Sequence, residues 1–238
     1  MIELVGAEAH HLLNVRRVRV GEEVELFDGK GQKVRGRLKK TGKKTATIEV
    51  LERYTKAPAR LEIVLACAMA KGSRWNWLLE KCVELGARRI WPVIFERSVV
   101  KGAGSPEQLS RWNSRCVEAA KQCGQAYLPQ ISEPRGLQEI LEETRDDWLA
   151  LVGTLDDSAE PILPVLKKQS RPRRLVLLVG PEGGLTVEEQ ILTEERGYQP
   201  VFLGENTLRV ETAAIGFLAA VRAWIDEEIE ISNIKIQK

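Results

Sequence analysis

The stretch Leu175-Val176-Leu177-Leu178-Val179-Gly180-Pro181-Glu182-Gly183-Gly184 decides how the rest of the chain is read. Its five leading apolar residues show no alternation, as in a parallel strand covered on both faces. The run ends in a turn of Gly and Pro, and Thr186-Val187-Glu188-Glu189 then opens a helix with a capping box. A second copy of the pattern follows: Val201-Phe202-Leu203 is a short apolar run, and Gly204-Glu205-Asn206-Thr207-Leu208-Arg209-Val210-Glu211-Thr212 leads from it into a last helix. In an open parallel sheet, ligands bind in the crevice outside the carboxyl ends of the strands. Two glycine loops there bring bare backbone against a flat ligand, because glycine permits close approach and positive φ. Neither loop reads G-x-G-x-x-G or carries the G-K-[ST] of a P-loop, which disfavours a dinucleotide or nucleoside triphosphate. Ordinary βα turns contain the same residue types, so the glycines alone leave function open.

Outward from this stretch the alternation of strands and helices continues. Leu61 to Ala68 is another continuous apolar run, Arg89 to Phe95 the next strand and Asp147 to Val152 a further one. Ser73 is placed to cap a helix whose residues Trp75, Leu78, Leu79, Cys82 and Val83 keep helical spacing and which ends at Gly86. Ser105-Pro106-Glu107-Gln108 opens a second helix with a capping box and a proline at its first position; that helix stops at Gly124. The pattern predicts an α/β domain with a mostly parallel sheet over residues 59–238. The last helix, from about Thr212 to Ile225, leaves almost no polar face. Such a helix is buried, either within its own chain or against a second copy; a homodimer is the expectation.

Residues 1–58 read differently. A short helical stretch, Ala7 to Val15, precedes an alternating strand from Glu23 to Phe27 and the turn Asp28-Gly29-Lys30-Gly31. Lys33 to Lys39 and Thr45 to Leu51 continue the strand pattern, and Lys56-Ala57-Pro58-Ala59 reads as a linker. Short strands with glycine turns predict a small β-barrel. The net charge of the 238 residues is only +2, but up to Arg60 there are 14 Lys/Arg against 8 Asp/Glu, and beyond it 22 against 26. A basic small domain beside a mildly acidic larger one points to contact with a polyanion, and a solvated lysine-rich surface is the plainer alternative. The only histidines, His10 and His11, are adjacent, and the four cysteines, Cys67, Cys82, Cys116 and Cys123, lack C-x-x-C spacing. Free thiols and no metal site are expected. The longest apolar stretches are too short for a bilayer, so a cytoplasmic protein is expected.

Several motifs occur in one order: Lys71-Gly72-Ser73-Arg74, Glu80 through Gly86, Glu96-Arg97-Ser98, Arg111-Trp112, Glu118 through Gly124, Gly180 through Gly184, and Leu203 through Ala213. Together they closely resemble the RsmE family of ribosomal RNA methyltransferases. In the N-terminal part His11 through Arg17 and Gly21 match that family's opening motif. Members are SPOUT-class enzymes that use S-adenosylmethionine to methylate N3 of a uridine in the decoding region of small-subunit (16S) rRNA. The resemblance implies a SPOUT-type parallel sheet with a C-terminal trefoil knot, preceded by a PUA-like barrel that binds RNA, and a homodimer. A knot does not follow from general rules of chain topology.

The resemblance also implies roles. Leu178, Gly180, Gly183, Gly184, Leu203, Gly204 and Leu208 would line the adenosine pocket, with Arg209 and Thr212 closing it; N-terminal capping is the other reading of Glu211 and Thr212. Methylation of N3 releases a proton and builds negative charge on the base, which a nearby cation stabilises. Arg97 is the first candidate, with a structural contact as its alternative, and Arg209 the second; Glu182 either accepts the proton or shapes its loop. Arg16, Arg17, Lys40, Lys43, Lys44 and Arg74 would grip phosphates. The helical spacing of Trp75 and Trp112 favours core packing over stacking on bases. Gln125 stands where the family usually has arginine, so one basic RNA contact is expected to be lost or moved. The competing readings are a SPOUT enzyme with another rRNA or tRNA target, and an RNA-binding assembly factor without activity.

Overall fold

The computed structural model describes residues 1–100, 102, 104–170 and 172–236, with side chains of the last helix as far as residue 227. The chain divides into two compact units, Met1–Pro58 and Ala59–Lys238.

The first unit begins with strand β1 (Ile2–Val5) and helix α1 (Gly6–His10), which continues into a π-helical turn over His11–Val15. Strands β2 (Glu23–Phe27), β3 (Gln32–Thr41) and β4 (Thr45–Thr55) follow. The sheet order is β1-β4-β3-β2 and every pairing is antiparallel. This is the glycine-turned antiparallel arrangement expected of a PUA-like unit. β1 escapes sequence reading because four residues are too few for a periodic signal; its pairing of Ile2 with Ile48 secures it. The register of β3 on β4 shifts at Arg35/Gly36, where a Cβ on Gly36 would lie 2.4 Å from Ile48 Cγ2. Ala9, Leu12, Leu38, Ala46 and Ile48 form the core beneath the sheet.

The second unit contains, in order, β5 (Glu62–Ala68), α2 (Ser73–Glu84), β6 (Arg89–Ile94), α3 (Pro106–Cys123), β7 (Gln130–Ile131), β8 (Arg135–Gly136), α4 (Leu137–Glu143) and β9 (Leu149–Gly153). It continues with β10 (Glu160–Pro161), α5 (Ile162–Lys167), β11 (Arg174–Val179), α6 (Val187–Glu195), β12 (Gln199–Phe202) and α7 (Val210–Ile236). The strands run in the order β10-β12-β9-β11-β5-β6-β7, with β8 also on β6, and all these pairs are parallel. β5 and β11 are buried from their second residues onward, as their unbroken apolar runs require. Helices α2 and α5 pack on α7, which lies on β5 and β11, while α4 packs on β6 and α6.

Some local expectations need correction. Ser73 does not cap α2: the N-cap is Gly72, at φ 65°, and no side chain caps the helix. At α3 the cap is Ser105, whose hydroxyl accepts from the Gln108 amide at 3.3 Å. The capping box at α6 is complete, Thr186 and Glu189 each accepting from the other's amide. Helix α7 runs to Ile236, past the expected Ile225, because no Gly or Pro stands in Asp226 to Ile236 to stop it. Its own chain buries Ala214, Phe217, Leu218, Val221 and Trp224, whereas Ala219 and Ala223 are exposed. Trp75 and Trp112 are both core residues, edge to face at 5.5 Å between ring centres. All four cysteines are free, with Cys67, Cys82 and Cys116 buried and Cys123 exposed.

Candidate active site

The order β12-β9-β11 places three strands side by side, and their register brings the carboxyl ends level. Val179 pairs with Gly153, and Gly153 with Val201. The loops leaving these strands enclose a cavity of about 400 Å³. It is lined by Gly153 to Asp156 after β9, by Val179 to Leu185 after β11 and by Phe202 to Gly204 and Asn206 to Leu208 after β12, with Arg97, Gln190 and residues of α7 completing the wall. Ligand pockets typically span about 300–1,000 Å³. The loop after β9 is tied to β12, the Thr154 amide donating to Val201 O at 3.0 Å, and the loop after β11 is closed on itself by the Gly184 amide, which donates to Pro181 O at 2.8 Å.

Glycine is required at particular points of this wall. Gly184 and Gly204 have φ of 71° and 148°, where other residues are strained. A Cβ on Gly180 would stand 2.4 Å from Leu185 Cδ1, and one on Gly153 would stand 2.6 Å from the Phe217 ring. Leu155, Leu203 and Leu208 are 49%, 37% and 36% exposed around the cavity, an apolar surface suited to covering a flat aromatic ring. The carboxylates of Asp156 and Glu182 also line it. Bare backbone, exposed leucines and negative side chains suit a ligand that combines a purine with positive charge.

The motif Glu96-Arg97-Ser98 braces this site from the end of β6. Nη1 of Arg97 donates to Gly183 O at 2.8 Å and to Leu185 O at 3.2 Å. The Glu96 amide donates to Glu189 Oε1 at 2.9 Å, while Oε2 of the same buried carboxylate accepts from the Thr186 amide at 2.9 Å. Ser98 Oγ accepts from the Phe95 amide at 2.9 Å and fixes the turn. Glu96 and Arg97 thus hold the segment from the loop after β11 into α6, and Ser98 fixes the turn that carries them.

Arg74, at the start of α2, faces carboxylates. Its Nη1 lies 3.3 Å from Glu211 Oε1 and 3.8 Å from Glu182 Oε1. Glu211 is buried in the first turn of α7, where the helix dipole favours an acid. Its contact is with Arg74, so it acts as an ion-pair partner and not as a cap. Gly180, Gly183, Gly184, Leu203, Gly204 and Leu208 line the cavity, as do Arg97 and Glu182. Leu178, fully buried inside β11, and Arg209 and Thr212, both exposed at the start of α7, do not. Sequence reading missed the loop Gly153 to Asp156. Its one local signal is weak: Gly153 follows the apolar run Leu149 to Val152, but a single glycine there reads as an ordinary turn.

In the first unit Arg16, Arg17, Lys40, Lys43 and Lys44 are all exposed, and none forms an ion pair among the described residues. Lys33, Arg35, Arg37 and Lys39, by contrast, pair with Glu23, Glu25, Glu49 or Glu52. Arg17 is the single described non-glycine residue with positive φ, 54°, directly after the π-helical turn.

Fold and cavity together define an RNA methyltransferase with a PUA-type N-terminal unit: residues 57–222 match the RNA methyltransferase domain and residues 4–51 the RNA methyltransferase PUA domain. The ribosomal RNA small subunit methyltransferase E of Synechocystis sp. is 32% identical over 94% of this chain and 74% of its own length. That of Bacillus subtilis is 28% identical over 92% of this chain and 88% of its own. The crystal structure of ribosomal RNA small subunit methyltransferase E from Neisseria gonorrhoeae, bound to S-adenosyl methionine, is 33% identical with a TM-score of 0.84, covering 93% of this chain and 91% of that one. The chain belongs to the ribosomal RNA small subunit methyltransferase E family.

Proposed function

We propose that this protein transfers a methyl group from S-adenosylmethionine to N3 of a uridine in the decoding region of 16S rRNA. The observation that carries the reading is the cavity formed by three glycine-bearing loops at the carboxyl edge of a parallel sheet, in a chain that belongs to this family. S-adenosylmethionine supplies, when bound, a methyl group already activated on a sulfonium, so the chain's task is alignment and charge stabilisation. Gly180, Gly183, Gly184 and Gly204 keep side chains out of the cavity, and Leu203 and Leu208 cover the adenine. Arg97 spends Nη1 on the loop carbonyls and has further donors to set against charge developing on uracil O2 or O4. Arg209, exposed at the start of α7, is the second such cation. Glu182, on the cavity wall, either takes the N3 proton, with water as the other acceptor, or only shapes its loop.

Arg16, Arg17, Lys40, Lys43 and Lys44 grip phosphates, a role supported by their exposure and freedom from ion pairs. Arg74 is a weaker candidate for that task, because two carboxylates already share its charge. The trefoil knot is supported by the return path of the chain: β11 to β12 crosses β9, and α7 then turns back onto β11 and β5. The homodimer is supported by the exposed Ala219 and Ala223 on α7. A cytoplasmic setting goes with a ribosomal substrate, and no helix among the described residues is long and apolar enough to cross a membrane.

The test is methyl transfer from labelled S-adenosylmethionine to small subunits lacking the modification, followed by nucleoside analysis. The expected product is 3-methyluridine; label in any other nucleoside contradicts the reading.

A further inference from the structure

The loop after β9 carries a charged group whose setting is unusually well defined. Oδ2 of Asp156 accepts from Thr154 Oγ1 at 2.5 Å and from Gln190 Nε2 at 3.1 Å. The Asp156 amide in turn donates to Thr154 Oγ1 at 3.3 Å. Gln190 belongs to α6, so two separate elements fix the direction of this carboxylate. Oδ1 accepts no hydrogen bond, and no Lys or Arg pairs with Asp156 among the described residues. A carboxylate aligned through one oxygen and open at the other, on the wall of a cavity, is set to receive donors that a ligand brings.

We propose that Asp156 holds the ribose of the cofactor, with Oδ1 accepting from its vicinal hydroxyls. The inference rests on reading the cavity as the S-adenosylmethionine pocket. The lining loops follow the strand order β12-β9-β11. Leu155, Leu203 and Leu208 stand on the loops after β9 and β12, the side suited to adenine. Arg97 and Glu182 stand at the loop after β11, the side suited to the charged amino-acid tail and the methyl group. Asp156 follows Leu155 directly, so it meets the part of the ligand joined to the base. A carboxylate on ribose hydroxyls is a recurrent device of nucleotide pockets. Gln190 is then a positioning residue, acting through Asp156.

Calorimetry with two ligands tests this. S-adenosylhomocysteine contains adenine, ribose and tail; 5′-methylthioadenosine lacks the tail. Asp156→Ala is expected to weaken both by the same factor, about tenfold or more for a lost hydrogen bond to a charged group. Gln190→Ala should give a smaller loss in the same ratio for the two ligands. Asp156→Asn, which keeps the side-chain shape, serves if the alanine variant melts early. Weakened S-adenosylhomocysteine with unchanged 5′-methylthioadenosine overturns the proposal and moves Asp156 to the tail. Unchanged affinity for both removes it from the pocket. Wild-type protein that binds neither compound refutes the cofactor pocket itself, a failure distinct from that of Asp156 alone.

Discussion

Arg97 Nη1 donates to the carbonyl oxygen of Gly183 at 2.8 Å, so a side chain from the end of β6 holds the loop that follows β11. With the second bond to Leu185 O, this makes Arg97 a brace of that loop. Arg97→Ala is expected to raise the Kd for S-adenosylhomocysteine about tenfold, as for lost charge-assisted hydrogen bonds. Arg97→Lys should recover only part, because the shorter lysine side chain does not bring its ammonium to the point where Nη1 meets both carbonyls. Unchanged affinity in Arg97→Ala would show that the loop holds its shape unaided.

Gly153 and Phe217 meet with no room between them, a Cβ on the glycine falling 2.6 Å from the ring. Gly153→Ala therefore forces β9 and α7 apart, at about 1–3 kcal/mol for overpacking. In a chain of this size that lowers Tm by roughly 5 °C. Phe217→Leu in the same chain should cost less than the two single losses added, because the smaller side chain clears the clash. Strict additivity by differential scanning calorimetry would contradict the contact.

Lys39 and Lys40 are neighbours with different prospects. Lys39 lies 3.2 Å from Glu49, whereas Lys40, Lys43 and Lys44 have no acidic partner among the described residues. Removing Lys40, Lys43 and Lys44 together should reduce the slope of log K against log salt for RNA binding by about 2–3. Lys39→Ala should change it much less. Equal effects per lysine in filter-binding titrations would mean that the ion pair does not decide which cations reach phosphate.

Glu62 joins three strands: Arg89 Nε donates to its Oε1 at 2.6 Å and Arg174 Nε to its Oε2 at 2.9 Å. Burial pushes its pKa up, but the two arginines outweigh burial and hold it below the ordinary 4.5. A carboxylate depressed in the folded state stabilises above its unfolded pKa, and that stability is lost as pH falls through the folded value. Glu62→Gln should thus lower Tm at neutral pH, and the gap from wild type should close as pH falls below 4.5 through the depressed pKa. A gap that widens in acid would reverse the assignment.

Much of this was legible in the residues themselves. The unbroken runs Leu61 to Ala68 and Leu175 to Val179 announced buried parallel strands, and Gly180 and Gly204 marked two of the three site loops. The third, Gly153 to Asp156, was missed because a single glycine among Thr, Leu and Asp does not stand out from an ordinary turn. Its place in the site comes from the strand order, which puts β9 between β11 and β12, and no local pattern encodes that order. The ion pair of Arg74 was not legible locally, because its partner Glu211 lies 137 residues away. The tying of Arg35, Arg37 and Lys39 to glutamates across strands was hidden for the same reason.

Methylation of one uridine at N3 leaves a mark that reverse transcription reads. Small subunits lacking the modification are treated with this protein and S-adenosylmethionine, and their 16S rRNA is copied. A methyl group on N3 blocks Watson–Crick pairing, so one strong stop in the decoding region is predicted, present only when protein and cofactor are both added. Full-length transcripts from subunits incubated with protein shown to bind the cofactor would contradict the account.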